Sequence, residues 1–309
     1  MIVTLTMNPA IDRIISVDRL AFEDRSYINS SRESAGGRGI NSSCVIHSYG
    51  GKTLAVLTSG GDAGRRLERH LTNCGIPIAV APIAHETRTN LTITDKHGLT
   101  VNLNEAGPAM DKEELARVER MVRDTLDRAA WLMMCGSLPP GAPASFYGKL
   151  VEMARHKKVK TWLHAAGEAL REGVEARPTV AAPNQLEAER LLGRALLTRT
   201  HCLDAARQIR AMGPESVVLT LGSRGAIGVY ADGLLEALPP RVDAVCPIGA
   251  GDALSAAYVW AMRRKPNPAD ALRWGVSAGT ASARLPGMSF ADLAQTEEIY
   301  RKVELRRVE

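Results

Sequence analysis

The segment Pro247-Ile248-Gly249-Ala250-Gly251-Asp252 leads directly into the small apolar run Ala253–Tyr258. Gly249 and Gly251 free the backbone, so successive N–H groups can point into one space. With a helix dipole behind them they form an anion site. Asp252 falls in or beside the first helical turn. Its carboxylate there complements the dipole. It can also act as a general base beside a bound phosphate, taking a hydroxyl proton while the N–H groups take up charge on a transferring phosphoryl group.

A second glycine-rich entry to a helix is Gly36-Gly37-Arg38-Gly39-Ile40-Asn41. Read locally, it is a tight strand–helix turn. Read chemically, the glycines let a ligand approach backbone closely, and Asn41 can donate to and accept from hydroxyls. It is not a dinucleotide fingerprint, because the third glycine is missing, and no G-x-x-x-x-G-K-[ST] occurs, which excludes a P-loop enzyme. Asp12 follows a first strand and Asn8-Pro9, at the strand end where parallel sheets form ligand crevices, or else it serves the turn. Asn184 and Glu187 form an N-x-x-E that starts a helix, which capping and the dipole explain by themselves.

The elements that must position these residues alternate between strand and helix. Strands are expected at Ile2–Thr6, Thr53–Thr58, Ile78–Pro82, Trp131–Cys135, Lys160–His164, Thr179–Ala182 and Ser216–Leu221. Helices are expected over Asn41–Ser48, from Gly61 to Asn73, Met110–Ala130 with Asp111 as N-cap, Ser145–His156, Gln185–Leu192, Asp204–Met212, Ala250–Arg263 and Pro268–Arg284. This rhythm predicts a mostly parallel sheet covered on both faces. Ala226–Ala231 and Leu234–Leu238 flank Asp232-Gly233 as a hairpin. Thr87–Thr94 and Leu99–Asn104 alternate polar and apolar residues around Asp95-Lys96-His97-Gly98, a second hairpin. With the polar stretch Tyr27–Glu33 they predict a small sheet standing off the main one, as a lid or a dimer surface.

Composition narrows the class. The chain has 309 residues, 45% hydrophobic and 24% charged, with a net charge of +5. Collagen-like, disordered and disulfide-scaffold chains are excluded. No purely apolar run, Ala129–Cys135 being among the longest, approaches the roughly 20 residues of a membrane span. The positive charges are interleaved with acids, as in Glu119-Arg120 and Arg123-Asp124, and no basic run carries interleaved aromatics, so no nucleic-acid partner is expected. Five cysteines form no C-x-x-C and no zinc spacing. They are expected to be free thiols in a reducing compartment. Met1-Ile2-Val3-Thr4-Leu5 reads as a strand rather than a signal peptide, so a cytoplasmic location is expected.

Together these motifs resemble the PfkB sugar kinases, the ribokinase-like group, over essentially the whole chain. Gly36–Asn41 is similar to the family's N-terminal glycine signature, Gly249-Ala250-Gly251-Asp252 to its C-terminal G-A-G-D signature, and Asn184–Glu187 to its N-x-x-E element. Thr4–Asp12, Thr87–Asn90, Asn104–Pro108 and Gly136–Gly141 resemble the phosphosugar branch of 1-phosphofructokinase, tagatose-6-phosphate kinase and the minor 6-phosphofructokinase. The resemblance implies a ribokinase-like three-layer α/β/α fold, with a mostly parallel central sheet and a small β lid. It implies one domain over residues 1–309, the lid drawn from segments near 13–34 and 87–104, and a homodimer paired through that lid.

The resemblance also implies a role for each matched residue. Asp252 would be the base, with the backbone of Gly249, Ala250 and Gly251 stabilising the transferred phosphoryl group. Asp12 and Asn41 would hold sugar hydroxyls, with Gly37 and Gly39 making room. Arg25, Arg88 and Ser137 would grip the sugar's existing phosphate. Asn184 and Glu187 would organise Mg²⁺ and the nucleotide phosphates, mostly through water, with Glu187 nearest the metal. Thr220, Gly222 and Gly279 would bind ATP. The implied reaction is transfer of the ATP γ-phosphoryl group to a ketohexose phosphate, with fructose 1-phosphate favoured over tagatose 6-phosphate and fructose 6-phosphate.

Three positions depart from the family pattern. Ala182 stands where Lys is common before Pro183-Asn184, Pro247 where Thr or Ser is common, and His164 where a stretch usually begins with Asp. They keep open a sugar-phosphate-binding protein without catalysis; a kinase of an unphosphorylated sugar or nucleoside, with Arg25 and Arg88 structural, is the other alternative.

Overall fold

The computed structural model of the protein describes residues 1–21, 24–287 and 289–308. The chain begins with β1 (Ile2–Thr6), β2 (Ala10–Val17) and β3 (Ile28–Gly36), then α1 (Arg38–Ser48), β4 (Thr53–Ser59), α2 (Gly61–Asn73) and β5 (Ile78–Pro82). A hairpin of β6 (Arg88–Asp95) and β7 (Thr100–Asn104) follows, then α3 (Lys112–Leu126), β8 (Trp131–Cys135), α4 (Phe146–His156), β9 (Lys160–His164) and α5 (Gly167–Glu175). The remainder is β10 (Val180–Ala181), α6 (Gln185–Leu192), α7 (Arg199–Ala211), β11 (Ser216–Thr220), β12 (Ala226–Tyr230), β13 (Gly233–Leu238), α8 (Ala250–Arg264), α9 (Pro268–Ala283), α10 (Leu293–Tyr300) and β14 (Glu304–Val308).

Ten strands form one sheet in the order β14-β13-β12-β11-β10-β9-β8-β1-β4-β5. From β11 to β5 every pairing is parallel, while β12, β13 and β14 close the other edge as an antiparallel ribbon. Strand side chains alternate between faces, and the alternation sorts the core. Val3, Leu5, Leu132, Met134 and Leu163 pack with α3 to α7 on one face. Ile2, Trp131, Met133 and Trp162 pack with α1, α8, α9 and α10 on the other. Helices on both faces of the sheet give the expected three-layer α/β/α arrangement.

A separate four-stranded sheet runs β3-β2-β6-β7. The hairpin at Asp95–Gly98 is present, with β6 and β7 antiparallel. The stretch around residues 10–17 is a strand rather than a turn, and it alters the placing of Asp12. Asp12 lies on β2, opposite Ser34 of β3 and Asn90 of β6. The segment near 13–34 includes residues 22 and 23, which lie outside the described residues.

Several boundaries differ from those expected. α3 stops at Leu126 because the chain must turn for Ala130 N to reach Met1 O (2.8 Å), which registers β8 beside β1. α7 starts earlier, at Arg199, where Thr198 accepts from the His201 amide as a cap. α5 was not expected: its N-cap, Ala166, offers no side-chain acceptor and so no sequence signal. The expected capping at Asp111 is present as a reciprocal box with Glu114. Among the described residues no helix is long and apolar enough to cross a membrane.

Candidate active site

The C-terminal ends of the parallel strands and the inner end of the small sheet enclose a cleft of about 1520 Å³. A single small-molecule site takes roughly 300–1,000 Å³, so this cleft has room for two substrates side by side. Its lining includes Asp12, Gly37, Asn41, Arg88, Ser137, Asn184, Thr220, Gly222, Gly249, Ala250, Gly251, Asp252 and Gly279, residues spread over most of the chain.

Asp252 lies in the first turn of α8, buried to 7% exposure. Gly249 caps that helix with φ 81°, a left-handed conformation that a side chain would strain. Asn41, in the first turn of α1, donates from Nδ2 to Asp252 Oδ2 at 2.8 Å. Burial pushes the Asp252 carboxyl up to about 6, against the lowering effects of the Asn41 hydrogen bond and the Arg38 charge. A carboxylate that titrates near neutrality is suited to general-base work. The four amides of the signature are not equivalent. That of Ala250 donates to Pro247 O (3.2 Å) and that of Asp252 to Gly249 O (3.0 Å). Gly249 and Gly251 amides find no acceptor among the described residues, and they are the donors available to an anion.

The glycine turn before α1 does two different jobs. A Cβ on Gly36 would sit 2.0 Å from Asp12 Oδ2, so Gly36 is what admits the Asp12 carboxylate. Gly39 does not line the cleft. Its added Cβ would meet Thr6 Oγ1 at 2.5 Å and Leu5 O at 2.8 Å, so it lets α1 pack closely on β1 instead of making room for a ligand. That corrects the role expected of Gly39.

At the small-sheet end, Asp12 Oδ1 accepts from Asn90 Nδ2 at 2.7 Å, and burial raises the Asp12 carboxyl above its ordinary value. Arg88 donates through Nη1 to Glu105 O at 2.7 Å. Asn8 donates to Ala106 O (2.9 Å) and Ser137 Oγ (3.3 Å). Seven buried side-chain polar atoms lack a partner among the described residues, and four of them belong to cleft residues: Asn8 Oδ1, Arg88 Nε, Asn90 Oδ1 and His164 Nδ1. Buried polar groups are normally satisfied, so such a cluster marks a place where a polar ligand completes the hydrogen bonding.

Asn184 and Glu187 form a capping box at the start of α6. Glu187 Oε2 accepts from the Asn184 amide at 2.9 Å, and Oε1 accepts from Arg38 Nη1 at 2.9 Å. Both carboxylate oxygens are thus engaged, and Glu187 does not itself line the cleft. Asn184 bridges to Thr220 at the end of β11, and both line the cleft, as do Gly222 and Gly279. Among the described residues no group of three His, Cys, Asp or Glu is placed to hold a metal ion.

Arg25 is not brought to this site; it is exposed and absent from the cleft lining. It follows β2, whose course from Asp12 to Val17 carries the chain roughly 16 Å outward along the small sheet. Arg38, Asn8 and Asn90 also line the cleft, although the motifs that contain them assign them no role. Asn8 follows β1, Arg38 opens α1 and Asn90 lies on β6, and only the fold brings these three places to one cleft. The departures at 164 and 182 are neighbours: Ala182 N donates to Leu163 O at 2.8 Å, next to His164. Pro247 leaves its turn intact, since only its carbonyl is used.

The chain is similar to known proteins over nearly its whole length. The family model described as "pfkB family carbohydrate kinase" matches residues 2–294. The ATP-dependent 6-phosphofructokinase isozyme 2 of Mycobacterium tuberculosis is 30% identical over 303 residues, 97% of this chain and 88% of that protein. The 1-phosphofructokinase of Vibrio cholerae is 25% identical over 304 residues, covering 98% and 96%. The crystal structure of phosphofructokinase-2 from Escherichia coli in complex with potassium superposes with a TM-score of 0.92 at 27% identity, covering 97% and 98%. The chain therefore belongs to the pfkB family of carbohydrate kinases, enzymes that transfer a phosphoryl group to an alcohol.

Proposed function

We propose that the protein is an ATP-dependent kinase of a ketohexose phosphate, with fructose 1-phosphate converted to fructose 1,6-bisphosphate as the favoured reaction. The observation that carries this reading is the Asn41–Asp252 pair at the start of α8, in one cleft with Arg88 and its unpartnered neighbours. Asp252 takes the proton of the acceptor hydroxyl as its oxygen attacks the γ-phosphorus. The bond from that phosphorus to the bridging oxygen breaks, and ADP leaves. Amides of Gly249 and Gly251 stabilise charge on the transferring group. Asp12 holds sugar hydroxyls, and Arg88 and Ser137 hold the sugar's phosphate, for which a guanidinium is suited. Thr220, Gly222 and Gly279 would bind the nucleotide, and all three line the cleft, as Asn184 does.

Mg²⁺ usually binds through phosphates, water and one or two carboxylates. Glu187, bonded at both oxygens and outside the cleft lining, is not placed to ligate a Mg²⁺ directly, so an ion carried in on the nucleotide phosphates would be held mainly by those phosphates and water. Such an ion neutralises phosphate charge. We read residues 1–309 as one kinase unit in the cytoplasm, with the small sheet as its lid. Tyr27 (75% exposed) and Ile28 (56%) at the start of β3, and Leu103 (52%) of β7, leave apolar surface on that sheet, which supports pairing with a second copy.

The deciding experiment is a coupled ADP-release assay with Mg-ATP and fructose 1-phosphate, fructose 6-phosphate, tagatose 6-phosphate, fructose and ribose. One dominant phosphosugar supports the reading. Turnover of fructose or ribose above every phosphosugar overturns it. Phosphosugar binding without turnover would instead identify a non-catalytic homologue.

A further inference from the structure

His164 ends β9 and is buried to 7% exposure, yet it borders the cleft. Its Nδ1 lies 3.9 Å from Asp252 Oδ1 and is one of the buried atoms with no partner. Asn41 holds the other oxygen of the same carboxylate, Oδ2. A Cβ added to Gly251 would stand 3.9 Å from the imidazole Cε1, so the ring edge lies against the turn that opens α8. The unpartnered nitrogen thus faces the oxygen of Asp252 that Asn41 leaves free. Nothing in the reaction as described above uses this ring.

We propose that His164 is a positioning residue for Asp252, its Nδ1–H donating to Oδ1 whenever the carboxylate is ionised. The inference rests on the kinase reading for its catalytic consequence, though not for the contact itself. A separation of 3.9 Å is not a hydrogen bond, and closing it takes a shift of about 1 Å. Hydrogen bonds to a carboxylate are shorter and stronger than neutral ones, so ionisation of Asp252 supplies the attraction that closes the gap. With both oxygens held, the plane of the carboxylate is fixed. Each oxygen keeps a further lone pair, so the substrate hydroxyl still finds an acceptor.

The surroundings favour a neutral donor. Arg38 of α1 faces the pair and is itself drawn to Glu187 of α6. Cys135 of β8 is buried with its thiol protonated, and Asp12 of β2 contributes a second carboxyl. Burial, aided by the Arg38 charge, keeps the imidazole neutral. A neutral donor steadies the Asp252 anion without adding a second cation to Arg38, which would lower its basicity further.

The test is titration of the Asp252 carboxyl by carbon-13 NMR in the free full-length protein labelled at aspartate, assigned with Asp252→Asn. Wild type is compared with His164→Phe, which removes both nitrogens, and His164→Asn, whose side-chain amide restores a donor near Nδ1. The expected result is a midpoint about one pH unit higher in His164→Phe and close to wild type in His164→Asn. The acid limb of kcat should move in parallel, about a tenfold loss at pH values below it, with KM for the phosphosugar unchanged. Equal midpoints in wild type and His164→Phe overturn the proposal, as does His164→Asn titrating like His164→Phe. If His164→Phe does not fold, His164→Ala carries the same comparison. A midpoint shift in a protein that turns over no sugar would retain the contact and overturn the kinase reading.

Discussion

Asn41 Nδ2 donates to Asp252 Oδ2 across 2.8 Å, joining two residues 211 positions apart at the first turns of α1 and α8. The two glycine signatures therefore meet at one carboxylate. A donor to the ionised form stabilises it, so Asn41 opposes the upward push of burial on Asp252. Replacing Asn41 by Ala should raise the Asp252 carboxyl above about 6 and shift the acid limb of the kcat–pH profile to higher pH. A profile superimposable on wild type would show that the contact does not tune the base.

Asp252→Asn should lower kcat by about 10²–10⁴-fold, the usual worth of a general base, while phosphosugar affinity measured by calorimetry changes little. Wild-type turnover in this variant would remove Asp252 from the chemistry.

The same substitution should stabilise the fold at neutral pH. The folded-state carboxyl titrates near 6 against 3.8 in the unfolded chain. Below 3.8 both states are protonated and there is no penalty. As pH rises through this window the unfolded chain ionises first, and stability falls until about pH 6, beyond which the loss is constant. The penalty is about 3 kcal/mol. Thermal melts should show Asp252→Asn above wild type at pH 7, with the gap closing towards pH 4. A gap independent of pH would mean the carboxyl is not raised.

Arg88→Ala should raise KM for the phosphosugar at least about tenfold, since a hydrogen bond to a charged group is worth about 1.5–3 kcal/mol. KM for ATP should hardly move. Steady-state kinetics with each substrate varied in turn separates these outcomes, and equal effects on both KM values would place Arg88 elsewhere.

Gly36→Ala and Gly39→Ala should separate function from packing. The new methyl at 36 meets the tip of the Asp12 side chain, which can swing away, so sugar KM rises with little change in melting temperature. The methyl at 39 meets the backbone carbonyl of Leu5, which cannot, so the melting temperature falls. The opposite pattern in melting curves and KM would reverse the two assignments.

Much of this molecule is determined by the sequence alone. Alternating apolar runs and helical stretches specify the parallel sheet, because each pattern repeats with the period of its element. Asp111 and Asn184 announce their helices through local capping. The signature at Gly249–Asp252 states its own chemistry, since glycines, a helix start and a carboxylate are contiguous. Other features were decided only by tertiary structure. Sequence could not show that Gly39 serves packing, because a glycine's neighbours in space are distant in the chain. It could not show that Asp12 stands on a strand of the small sheet, since β2 is stabilised by pairing with β3 and β6 rather than by its own pattern. Nor could it bring His164 to Asp252 or hold Arg25 away from the cleft. Burial and distance set those relations, and both arise only when α1, β9 and α8 pack against one another.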